Sequence, residues 1–142
     1  MKRIASITFI ALFALVSFVT VGSISAQEQA VKANVPFDFT VGGKLLPAGH
    51  YTLSVANAGV IKIENSDQHV AILTMATADS NQSKTGELVF NKYGDQYFLR
   101  EILCSPAAMN MAVPDSKQEK RARAQEASLS HNGQQVYLAL NR

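Results

Sequence analysis

The chain has 142 residues, with 13 Lys and Arg against 11 Asp and Glu, 47% hydrophobic residues, one Cys and no Trp. That length is one ordinary domain able to fold around its own core, and the lone Cys104 excludes an intramolecular disulfide framework. The small positive excess comes from Lys2 and Arg3; residues 27–142 carry equal numbers of basic and acidic side chains, which argues against a nucleic-acid partner.

The first 29 residues, MKRIASITFIALFALVSFVTVGSISAQEQ, run from two basic residues through an uncharged apolar stretch to small residues and a polar start. This is the layout of a secretory signal peptide, with cleavage expected after Ala26, a single exported domain over 27–142, and a periplasmic or extracellular location. Ile4 to Val21 also approaches the roughly 18 to 20 residues of a spanning helix, so a retained anchor is the alternative and the only membrane contact expected.

From Val31 to Val41 every odd position is apolar and every even position except Pro36 is polar, which predicts one half-buried strand. Pro36 cannot donate to a ladder and places that strand at a sheet edge. Gly42-Gly43 is a two-residue hairpin signal, and Leu46-Pro47-Ala48-Gly49 is a second turn. Tyr51, Leu53 and Val55 then share one strand face, Asn57-Ala58-Gly59 reverses the chain, and Ile61 and Ile63 face the core from the next strand. After a polar turn at 65–68, His69 to Thr77 is apolar on both faces and predicts a central strand covered on both sides.

Asp79 to Thr85 has no apolar residue to bury and reads as a loop. Glu87 to Asn91 and Gln96 to Leu103 form a hairpin around Lys92-Tyr93-Gly94-Asp95. Met109 and Met111 predict a short strand or an apolar loop. Ser116-Lys117-Gln118-Glu119 is a capping box opening a helix over about 116–127, with a Glu119–Arg123 ion pair expected at i,i+4 and almost no apolar stripe, so the helix is expected on the surface. Asn132-Gly133 turns into a last strand over about 135–140 carrying Val136, Leu138 and Leu140 on one face. Turns at spacings of about ten residues, with no βαβ rhythm, predict an all-β fold: an antiparallel sandwich or small barrel of about 7–8 strands with one short surface helix near the C-terminus.

No catalytic constellation emerges. His50, His69 and His131 each flank a turn and share no metal-ligand spacing with one another or with Cys104, so no catalytic, metal or cofactor residue is assigned. Cys104, next to Ile102 and Leu103, reads as a small buried hydrophobe at a strand end, with a reactive thiol or intermolecular disulfide as the alternative. Lys117, Lys120, Arg121 and Arg123 are interleaved with Glu119 and Glu126 and read as a solvated helix face. Tyr93 and Tyr97, on and beside a hairpin tip, are the one pair placed to contact a sugar ring or peptide, against cross-strand packing as the plain alternative.

Three stretches, VPFDFTVGGKLLPAGHYTL, ELVFNKYGDQYFLREI and SKQEKRARA, together resemble a group of small exported proteins of acidobacterial type. These share a strand ending in VGGK, an LPAG-x-Y turn, an F-x-[KR]-YGD-x-YFL hairpin and a terminal SK-x-E-[KR] segment. The resemblance covers most of residues 31–124 and departs beyond Ile102. It implies an exported all-β domain and assigns no site residue. The expectation that follows is a non-enzymatic protein with a binding or structural role toward a partner in the envelope or outside the cell. A carrier of small apolar ligands in a closed barrel is the alternative, and a hydrolase assembled only in three dimensions is a further one.

Overall fold

The structure, a computed structural model, describes residues 30–81, 83–129 and 132–141. The expected signal segment and His131 lie outside the described residues. Eleven strands and one helix follow one another along the described chain. The first strands are β1 (Ala30–Val35), β2 (Phe39–Val41), β3 (Lys44–Leu46), β4 (Gly49–Asn57), β5 (Val60–Asn65) and β6 (Val70–Met75). They are followed by β7 (Thr77–Ala78), β8 (Glu87–Tyr93), β9 (Gln96–Cys104), a 3-10 turn (Ser105–Ala107), β10 (Met109–Ala112), α1 (Lys117–Ser128) and β11 (Gln134–Ala139). The all-β class and the single C-terminal helix agree with the sequence. The strand number exceeds the expected 7–8 because pieces as short as Thr77–Ala78 pair in their own right.

The strands form two sheets. One has the order β1-β4-β5-β6 and is antiparallel throughout. The other runs β11-β8-β9-β10-β7, with the β2–β3 hairpin joined to β9 through a single parallel pair, Thr40 with Phe98. The sheets meet at both sides. On one side β6 passes through buried Ala76 into β7 of the other sheet, a corner strand held where the Ala76 amide donates to the Gly59 carbonyl at 2.9 Å. On the other side Asn141, just beyond β11, bridges antiparallel to Lys32 of β1 and donates its amide to the Lys32 carbonyl at 2.8 Å. The result is a sandwich curled toward a barrel.

The predicted strand from Val31 to Val41 is two strands. Val31, Ala33 and Val35 face the core from the first sheet and Phe39 and Val41 from the second. The break falls over residues 36–38, where Pro36 has no amide to offer. Asp38 stabilises the crossing by accepting the Ala48 amide at 2.8 Å. The alternation survives the crossing, so the pattern alone does not reveal it. Gly42 and Gly43 close the β2–β3 turn at φ +58° and +82°, the pair of left-handed conformations a two-residue hairpin uses. A Cβ on Gly42 would also come within 2.6 Å of Thr74 Oγ1, so the hairpin rests against β6 at that point.

The space between the sheets is filled by side chains. Phe39 meets Tyr51 and Phe90 edge-on at ring separations of 5.1 and 5.5 Å, and Leu53, Ile61, Ile63, Leu88, Ile102 and Met109 pack around them. Each large side chain buried this way stabilises the fold by about 1.5–3 kcal/mol. β6 departs from expectation. It is an edge strand paired only with β5, and Leu73 and Met75 on its outer face are 66% and 72% exposed. A run apolar on both faces predicts cover on both sides, but the one helix lies on the other sheet.

That helix packs outside β8. Ser116 caps it by accepting the Glu119 amide at 3.1 Å. Its inward positions are Glu119, buried, and Ala122 and Glu126, half-buried, in place of an apolar stripe. The anticipated Glu119–Arg123 pair gives way to longer-range partners. Arg123 binds Asp115 Oδ2 at 2.9 Å, Glu119 accepts from Asn91 Nδ2 at 3.0 Å, and Arg100 pairs with Asp115 while donating to the Val113 carbonyl. Arg100 reaches them because it is the extra residue of a β-bulge, where Val89 pairs with Glu101 and Phe90 with Leu99.

Candidate functional site

The two tyrosines singled out in the sequence do not form a surface. Lys92 pairs with Tyr97 and Tyr93 with Gln96, so the alternation of side chains puts the two rings on opposite faces of the β8–β9 hairpin. Tyr93 is 8% exposed and lies against Gly133, where a Cβ would approach its Cε1 to 2.3 Å. Tyr97 stacks on Phe37 with centroids 4.0 Å apart and has Lys92 Nζ over its ring at 5.3 Å. Cross-strand and core packing account for both rings.

The described histidines, His50 and His69, are exposed, His69 in a turn at φ +54°. Among the described residues no group of three or more His, Cys, Asp or Glu could hold a metal ion. No described helix is long and apolar enough to cross a membrane. Three described groups carry perturbed acidity, Glu119, Tyr51 and Arg123, the last held more firmly protonated by the neighbouring Asp115 carboxylate. Burial pushes the Glu119 carboxyl above the ordinary carboxylate range against the opposing pull of the Asn91 hydrogen bond, Arg100 and Arg123, with Asp115 adding to the rise. Burial likewise raises the Tyr51 phenol, which donates to the Pro47 carbonyl at 2.6 Å.

A largely apolar cleft of about 510 Å³ lies where the sheet edges meet. One wall is the start of β1, with Ala30, Val31 and Lys32. Another is the end of β9 and the 3-10 turn, with Cys104, Pro106 and Ala107. Thr85, Leu140 and Asn141 complete it. Four segments distant in the chain are held together there by backbone bonds: Leu140 to Gly86 at 3.1 Å, Asn141 to Lys32 at 2.8 Å, and Ser105 to Ser83 at 3.4 Å. Pro106 sets the first positions of the 3-10 turn, and Ala108 ends it in the left-handed conformation at φ +50°. Gly86 is required beside the cleft. It sits at φ +79°, and a Cβ there would lie 3.2 Å from Leu140 Cδ1 and 3.3 Å from Cys104 Sγ. Cys104 is therefore at the strand end as predicted, but it is half-buried and lines an open cleft.

A second, smaller cleft of about 210 Å³ adjoins the first and shares Lys32 and Asn141 with it. Its lining is mixed, with His50, Thr52, Ser66 and Asp67 beside Ala33 and Tyr51. The two clefts make a path from apolar to more polar surface across the β1–Asn141 bridge. Among the described residues, neither a carboxylate nor an imidazole lines the first cleft beside Cys104. A third cleft of about 590 Å³ lies between the Gly42-Gly43 turn, Thr74 and the start of α1, and is lined by Asp115, Lys117 and Arg121.

No protein-family model, curated protein or solved structure matches this chain. The site is therefore built from geometry alone. Sequence reasoning missed it because its parts lie at 30–32, 85, 104–107 and 140–141, and no local pattern joins them. The one legible sign was Cys104 at a strand end beside Pro106.

Proposed function

We propose that this chain is an exported, non-enzymatic binding protein that receives its ligand at the cleft where the two sheets meet. The observation that carries the reading is that cleft: largely apolar, about 510 Å³, and built by backbone bonds between both ends of the described chain. Its size is that of a small-molecule site. The signal-like N-terminus and the resemblance to exported proteins support an extracytoplasmic role, and the equal charges of residues 27–142 fit a soluble exported domain. The carrier reading takes a changed form here. Phe39, Tyr51, Phe90 and Ile61 fill the centre, so space for a ligand lies at the rim of the sandwich.

The test uses Nile red, a neutral dye that brightens in apolar sites, titrated into the purified exported chain. The expected result is saturable binding at one site that Ala107→Trp removes while the melting temperature stays within about 2 °C. Dye binding untouched by a tryptophan in the cleft would overturn the proposal.

A further inference from the structure

We infer that the cleft takes a single-chain amphiphile with a monoanionic head, such as a long-chain carboxylate, with its chain along Ala30, Val31, Ala107 and Leu140 and its head at Lys32. The inference rests on the cleft reading above and adds the chemistry of the ligand. Among the described residues Lys32 is the one charged side chain lining the apolar cleft, and it makes no ion pair. A cation at the rim of an apolar groove complements a ligand with an apolar body and a negative end, because the chain gains from leaving water and the head keeps its charge at the surface.

The second observation is independent of the first. Lys32 and Asn141 are shared with the adjoining, more polar cleft, so a head group that leaves the apolar part meets Asn141, Thr52 and His50. That cleft also contains Asp67, whose carboxylate repels a second negative charge. One negative charge placed at Lys32 fits this pair of clefts, and a dianionic head such as a phosphate monoester fits less well.

The backbone supports the arrangement. Lys32 lies opposite Thr52 on the outer face of β1, and its carbonyl is committed to the Asn141 amide, which leaves the side chain to serve the rim. Because Lys32 is exposed, its substitution leaves the core intact, and charge at this position can be varied without losing the fold.

The experiment is displacement of Nile red from the purified exported chain by dodecanoate, by dodecanol and by dodecyl phosphate, all below their aggregation limits. Dodecanoate is expected to displace best, and raising the salt concentration to narrow its lead over dodecanol. Lys32→Gln is expected to weaken dodecanoate by about two- to fivefold and Lys32→Glu by about tenfold, with dodecanol unchanged in both; these are the magnitudes of an exposed ion pair and its reversal. Lys44→Glu, an exposed charge on the β2–β3 hairpin, is expected to change nothing. Equal displacement by dodecanoate and dodecanol, indifferent to Lys32, would overturn the head-group inference and leave the cleft standing. Tighter binding of dodecyl phosphate than of dodecanoate would overturn the monoanion. Displacement by none of the three, with Nile red binding unaffected by Ala107→Trp, would remove both.

Discussion

Glu119 is 2% exposed; its carboxyl faces β8 from the helix and accepts one hydrogen bond from Asn91. Burial dominates its energetics and holds its proton more tightly in the folded chain than in the unfolded one. The stability associated with that raised pKa is therefore fully present below the ordinary glutamate pKa and is lost as pH rises through the raised value. Around it stand Asn91 from β8, Arg100 from β9, and Asp115 and Arg123 flanking and within α1. Glu119→Gln keeps an acceptor for Asn91 and removes the buried charge. The variant is expected to melt about 3 °C above the parent at pH 8, the shift that ~1 kcal/mol gives a domain of this size, and to match it near pH 4. Thermal melts across that range check the sign: a variant less stable at pH 8 would show that Arg100 and Arg123 outweigh desolvation. The capping box at Ser116 was legible in the sequence. The inward direction of Glu119 was not, because a capping glutamate normally points to solvent and back toward its own helix.

At the scale of elements, β6 is the exposed weakness of the fold. It carries VAILTM with no charge and no proline, has a sheet partner on one side only, and leaves Leu73 and Met75 in solvent. Such an edge is a template for pairing with another chain, and proteins ordinarily guard it with lysine, proline or a bulge. Leu73→Lys together with Met75→Lys is expected to leave the melting temperature within about 2 °C, since neither side chain is in the core. Light scattering during prolonged heating at high concentration is expected to fall relative to the parent; scattering that stays the same would place the aggregating surface elsewhere. The sequence identified this strand correctly as a strand and placed it wrongly in the sheet. Periodicity reports which faces are apolar and contains nothing about which face receives a neighbour.

For the whole molecule, the side held by β11 is where stability and the proposed site coincide. β11 pairs with six successive residues of β8, places Val136 and Leu138 over Phe90 and Leu88, and carries the chain on to the Asn141 bridge to β1. Deleting residues 134–142 is expected to cost on the order of 4 kcal/mol, from the lost burial of its apolar face and the newly wetted core beneath it. That is a large fraction of the 5–15 kcal/mol a domain of this kind holds in total. The truncated chain is expected to lose a cooperative melt, or to show one more than about 10 °C lower, and to lose Nile red binding with it. A truncation that melts like the full chain would show that β11 is accessory and that the cleft is held by β1 and β9 alone.

The sequence by itself determined the strands and turns, because a period of two, the Gly42-Gly43 turn, the Lys92 to Asp95 hairpin and the Ser116 cap depend on neighbours a few residues away. It also fixed which faces of β4, β5 and β11 turn inward. Only the tertiary structure decided that the alternating run from Val31 to Val41 changes sheets at Pro36, that Tyr93 and Tyr97 look away from each other, and that β6 lies at an edge. The cleft belongs to the same class. Lys32, Cys104, Ala107 and Asn141 are brought together by the β1–Asn141 bridge and the bonds from Leu140 and Ser105 to the 83–86 loop. Those contacts depend on how two sheets close against each other, a balance of packing over the whole core that no short stretch of chain encodes.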